Sequence, residues 1–144
     1  MPDTPDDWWG PIDYLVADLA PGTDPGAGIA ELLALVTQGS LRVLDVEVFR
    51  SAGGAVEAVD QADWAQVLGG SASELDGSFS GLLDDGDRAE IAAVLEPGHA
   101  ALVIIYEVLV TRPVIEAFVA AGIAVVDEGP LTPQEIDTAL GEVA

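Results

Sequence analysis

One glutamate, Glu107, lies inside the run Ala100–Val110 (AALVIIYEVLV), which is otherwise Ala, Leu, Val, Ile and Tyr. An unpaired carboxylate in such a strand is costly to desolvate, so two chemistries are open to it. An arginine can answer it in a structural ion pair, from Arg112 five residues on or from Arg42 or Arg50 across a sheet. Alternatively it is an acid/base group in a cleft, with Arg112, Tyr14 or His99 beside it. His99 is the only histidine and sits in the Pro97-Gly98-His99 turn before that run. An imidazole can act as a base, yet no Ser/His/Asp order or HxxxH spacing surrounds it. Glu107 and His99 are therefore the candidate catalytic residues, and an exposed loop histidine is the plainer reading of His99.

Two other motifs suggest ligands only superficially. The loop Gly22-Thr23-Asp24-Pro25-Gly26-Ala27-Gly28 lies between a strand and a helix, where nucleotide folds bind phosphate. It has no Lys after its last Gly, and Asp24 would repel a phosphate, so its glycines read as turn residues. Asp84-Asp85-Gly86-Asp87 starts like a calcium loop but lacks the rest of one. Acids are ordinary at a helix start. With no cysteine in the chain, thiolate nucleophiles, disulfides and Cys metal sites are removed together. No metal and no cofactor is expected.

The elements that would position these residues follow from patterning. Ile12–Leu19 is rich in β-formers and reads as a first strand. Ile29, Leu32, Leu33, Leu35 and Val36 follow helical spacing, with Gly39 at the C-terminal cap. Leu41–Arg50 is a strand with Leu44, Val46 and Val48 on one face and Arg42 and Arg50 at its ends. Asp45 and Glu47 point the other way, to solvent. Gly53-Gly54 turns the chain into a third strand over Ala55–Asp60. Residues 61–81, with Gly69-Gly70 and several serines, read as irregular surface loop.

Asp84 caps a helix running through Ile91, Val94 and Leu95 to Pro97-Gly98. The run 100–110 is a central strand covered on both faces. A helix over Pro113–Ala121 stops at Gly122, and Ile123–Val126 reads as a strand. Thr132-Pro133-Gln134-Glu135 is a capping box for a C-terminal helix. The order β-α-β-β-α-β followed by α-β-α predicts an α+β fold, with a ferredoxin-like split β-α-β core and a C-terminal extension. Residues 1–10 are expected as a flexible tail, 11–129 as a single domain and 130–144 as a helical arm.

Composition narrows the function classes. The 144 residues carry 26 Asp and Glu against four arginines and no lysine, a net charge of −22 with pI about 4.1. Half the residues are hydrophobic, unlike a disordered acidic tail. Nucleic-acid binding needs clustered cations to displace phosphate counterions, and four scattered arginines cannot supply them. Anionic membrane surfaces repel such a chain. No apolar stretch reaches the ~20 residues of a membrane span, so no membrane insertion is expected. Met1–Gly10 has neither the basic nor the apolar region of a secretory leader, and a cytoplasmic protein is expected. The carboxylates never run longer than two in sequence and read as a solubility or salt adaptation.

Gly10–Val16, Leu41–Asp45, Leu82–Asp85 and Leu95–Gly98 ahead of an apolar strand holding Glu107 together resemble a family of small uncharacterised actinobacterial proteins, a domain of unknown function. That family is similar to a broader one with glycine-zipper, membrane-associated members; this sequence has no convincing glycine zipper. The resemblance implies no activity.

Trp8 and Trp9 are costly to leave in water and mark an interaction device, as does the short C-terminal helix. The leading expectation is a non-enzymatic, self-associating acidic assembly or accessory protein, a homo-oligomer. Two alternatives stand beside it. One is a small-molecule binding protein or enzyme using Glu107 as acid/base, with Arg112, Tyr14 or His99 nearby. The other is an acidic partner of a basic protein.

Overall fold

The computed structural model describes residues 9–126, 129 and 131–143; for residues 142 and 143 it describes the backbone alone. The chain divides into two compact units, residues 12–110 and residues 1–11 with 111–144.

The larger unit is built on four strands, β1 (Ile12–Leu19), β2 (Leu41–Ala52), β3 (Ala55–Ala58) and β4 (Ala100–Val108). They form an antiparallel sheet in the order β1-β4-β2-β3. Because β4 runs opposite to both neighbours, β1 and β2 are parallel with β4 inserted between them. The crossover connecting them is α1 (Gly26–Thr37), and α3 (Asp85–Val94) precedes β4. The fold is thus α+β, and the apolar run of β4 is central, as its sequence required.

Each sheet face carries its own core. On one face Val46, Val48, Leu102 and Ile104 pack with Ile29 and Leu32 of α1 and with Trp64, Leu68 and Leu75. On the other, Phe49, Ala101 and Val103 pack with Ile91 and Leu95. Asp84 caps α3 reciprocally: its carboxylate accepts from the Asp87 N–H at 2.8 Å, and the Asp87 carboxylate accepts from the Asp84 N–H at 2.9 Å.

Residues 61–81 depart from the loop expected there. They hold a 3-10 turn (Gln61–Asp63), the short helix α2 (Ala65–Leu68) and a second 3-10 stretch (Gly69–Leu75). Trp64 is 1% exposed, and its indole N–H donates to the Val59 carbonyl at 3.0 Å. Trp64, Leu68, Ala72 and Leu75 recur at helical spacing and form a buried stripe. The glycines and serines between them obscured that stripe in the sequence.

In the smaller unit, α4 (Arg112–Ala120) and α5 (Pro133–Val143) are the helices described. The capping box of α5 forms as expected. The Thr132 N–H donates to Glu135 Oε2 at 2.6 Å, and the Glu135 N–H to Thr132 Oγ1 at 3.1 Å. The strand expected over 123–126 is absent. A β-branched run becomes a strand only where a neighbour completes its ladder. Here the Ile123 N–H is already spent on the Phe118 carbonyl at 2.9 Å, closing α4 through Gly122 at φ +78°.

Candidate functional site

Glu107 meets the guanidinium of Arg42, and a β-bulge brings the two together. The register of β2 against β4 shifts between Val43 and Asp45, leaving Leu44 as the extra residue. One added residue reverses which face the preceding side chains occupy. Arg42 therefore leaves the face of Val46 and Val48, where alternation had placed it, and stands opposite Glu107. Its Nη2 lies 2.8 Å from Glu107 Oε1; the glutamate is 0% exposed and the arginine side chain half exposed. Arg112 pairs with Glu116 on α4 at 3.3 Å, and Arg50 donates to Gln66 Oε1 at 2.8 Å. Tyr14 stands opposite Ile105 rather than Glu107 and is 72% exposed.

The same face holds two acids that alternation had assigned to solvent. Asp45 is 1% exposed and Glu47 is 3% exposed. β3 pairs only with Phe49–Ala52, so the first half of β2 meets the segment Ser78–Leu83 instead. That segment is stitched to β2 by Val46 N–H to the Ser78 carbonyl at 3.1 Å and Ser80 Oγ to the Leu44 carbonyl at 2.8 Å. The two carboxylates complete the seam. Asp45 Oδ1 accepts from the N–H groups of Ser80 (2.6 Å) and Gly81 (3.2 Å), and its Oδ2 from Leu82 (3.1 Å). Glu47 Oε2 accepts from the Leu83 N–H at 3.1 Å.

Two acids two residues apart on one buried face cannot both carry charge cheaply. Desolvation first, then the Asp45 carboxylate beside it, push Glu47 up to about 7; the Leu83 N–H and the Arg88 charge oppose this. Arg88 lies over the Phe49 ring, 6.0 Å from its centroid, and reaches Asp85 at 3.2 Å. The signal for this burial was present in the sequence, since Phe49 shares the face of Asp45 and Glu47.

His99 is fixed by an acid on the edge strand: its Nδ1 lies 2.6 Å from Asp18 Oδ1, and Asp18 Oδ2 accepts from the Glu96 N–H at 3.2 Å. These bonds, the His99 one foremost, hold the Asp18 carboxyl below its usual range. Trp9 is largely exposed, and Trp8 lies outside the described residues. Among the described residues no group of three or more His, Asp or Glu is arranged to hold a metal ion.

An apolar groove of about 490 Å³ lies between β1, β4 and α3, lined by Ile12, Tyr14, Val16, Ile105, Leu82 and Val94. Asp13, Asp87 and Glu90 also line it. Glu107 lines neither this groove nor the smaller polar pocket at His99.

An antiparallel sheet with both faces covered, and with its buried acids engaged by arginine or by backbone, defines an α+β protein. Residues 8–140 match the family of unknown function DUF6325, and the chain belongs to that family. No curated protein and no solved structure matches it. Among the described residues no helix is long and apolar enough to cross a membrane.

Proposed function

We propose that the protein is a non-enzymatic, self-associating acidic module whose contact surface is β1 with the groove beside it. The observation that carries this is an eight-residue edge strand with a strand neighbour on one side, bearing Ile12 at 53% and Tyr14 at 72% exposure along an apolar groove. An open row of backbone donors and acceptors is complementary to its own copy about a two-fold axis. Pairing β1 with β1 would join two sheets and cover the tyrosines.

Like charges oppose that pairing. Asp13 and Asp18 lie on β1, and Asp87 and Glu90 lie along the groove. Self-association should therefore strengthen as salt screens them, over the ~8–10 Å reach of exposed charges. Light scattering on the eluting chain, across protein and salt concentration, tests this. A dimer that grows with salt and is lost in Tyr14→Asp supports the reading; a monomer at every salt concentration overturns it. Deleting residues 1–10 measures what Trp8 and Trp9 add.

The acidic rim favours a second reading, a basic protein partner with apolar residues between its cations. Salt discriminates, because that complex weakens where the homodimer strengthens. The enzyme alternative is weakened by Glu107 being closed against Arg42 away from either cavity. A cytoplasmic setting, kinship with actinobacterial and glycine-zipper proteins, and the ferredoxin-like label for the split β-α-β interleaving belong to this proposal. So does the division into tail, domain and arm. The sheet places β4 and β2 at its centre, and the label covers only the interleaving.

A further inference from the structure

We propose that the polar pocket beside His99 binds a small oxyanion, a carboxylate or phosphate group, between Arg50 and His99. The chain has only five side chains that can carry positive charge, four arginines and one histidine, and two of them line this one pocket of about 230 Å³. The sheet brings them together. Arg50 stands opposite Ala100 in the β2–β4 ladder, and the Ser51 N–H donates to the His99 carbonyl at 3.0 Å.

Both side chains are held by a neighbour, with donors unspent. Asp18 takes His99 by Nδ1 at 2.6 Å, and Nε2 has no partner among the described residues. Gln66 takes one Arg50 N–H at 2.8 Å and is itself held by Asp63 at 3.4 Å. The other guanidinium donors have no partner among the described residues. A guanidinium fork matches the paired oxygens of a carboxylate or phosphate, and its bonds to them are charge-assisted. Thr23, Gly22 and Gly98 complete the wall.

The volume lies below the roughly 300–1,000 Å³ of drug-sized sites, which limits the ligand to a few heavy atoms. Acids nearby moderate the attraction without occupying the pocket: Asp18 is engaged by His99 and Asp63 by Gln66, while Glu57 faces Arg50 across the β2–β3 ladder. The chain's overall charge repels anions at long range, so recognition rests on close contact.

Amide NMR shifts on titration with inorganic phosphate and, separately, with succinate test this, each against sodium chloride at equal ionic strength and fixed pH. Saturable shifts confined to Gly22, Thr23, Ser51, Gly98 and His99 are expected with at least one probe. Saturation by phosphate alone assigns a phosphate ligand, and by succinate alone a carboxylate. Arg50→Gln should weaken the binding by roughly tenfold or more, the loss of a charge-assisted pair. His99→Gln should weaken it several-fold and serves if the first variant is unfolded. Arg112→Gln removes the same charge from α4 and should leave it unchanged. Shifts that chloride reproduces, that never saturate, or that persist in both Arg50→Gln and His99→Gln overturn the proposal.

Discussion

At one end of the sheet face shared by Arg42, Asp45, Glu47 and Glu107, a buried acid meets a guanidinium. Farther along β2, two buried acids meet a row of backbone N–H groups. The first arrangement joins charge to charge and bridges β2 to β4. The second ties a connecting segment to the unpaired half of β2, and it crowds two carboxylates together. The contrast teaches that burying an acid has different consequences according to its partner. Removing the partner endangers the first arrangement; changing the pH disturbs the second.

The largest effect should come from breaking the ion pair. Arg42→Met leaves Glu107 buried without its guanidinium and should cost about 3–5 kcal/mol in urea unfolding. A cost below about 1 kcal/mol would show that other groups hold Glu107 adequately and would erase the contrast.

The next largest concerns Glu47. Its folded value of about 7 stands above the ordinary glutamate value of 4.5. Below the lower value both states bind the proton. Between the two values the folded state keeps a proton that the unfolded state releases, so stability falls as pH rises. The accumulated loss is about 3 kcal/mol once pH passes the folded value, at ~1.4 kcal/mol per unit. Glu47→Gln imitates the protonated acid. It should match the parent at acidic pH and exceed it by up to that amount in mildly alkaline solution. Urea midpoints across pH measure this, and parallel curves for the two proteins would remove Glu47 as the source.

Arg88 sharpens the comparison on a smaller scale, because its charge stabilises ionised Glu47 from beside Phe49. Arg88→Gln should move the Glu47 titration to higher pH, read by carboxyl-carbon NMR, and an unmoved titration would separate the two groups. Smallest of all is Asp85→Asn. The Asp85 carboxylate is fully in solvent, and its loss should leave both the melting temperature and the Glu47 titration unchanged. A clear shift in either would mean that Asp85 holds Arg88 in place.

Much of this frame was legible locally. The helix cap at Asp84, the capping box at Thr132, the Gly53-Gly54 turn and the eight residues of β1 depend on near neighbours in sequence, and each formed as read. The apolar run of β4, interrupted by Glu107, announced a sheet covered on both faces. What stayed hidden was non-local. Asp45 and Glu47 alternate with valines as solvent-facing residues do, and only the Ser78–Leu83 segment laid across them turns that face inward. Trp64, Leu68, Ala72 and Leu75 carried a helical stripe that Gly69-Gly70 and the serines disguised as loop. The tetrad Ile123–Val126 had strand propensity but no ladder to join.

The sequence by itself determined the four strands and the helices α1, α3, α4 and α5, the central place of β4, and that Glu107 would require an answer. Arg112, five residues on, and Arg42 or Arg50 across the sheet were all candidates. The tertiary structure brought Arg42 to it, because a single extra residue at Leu44 rotated that arginine onto the face of Glu107. Register and coverage are properties of what lies alongside a strand, and alternation within the strand cannot encode them.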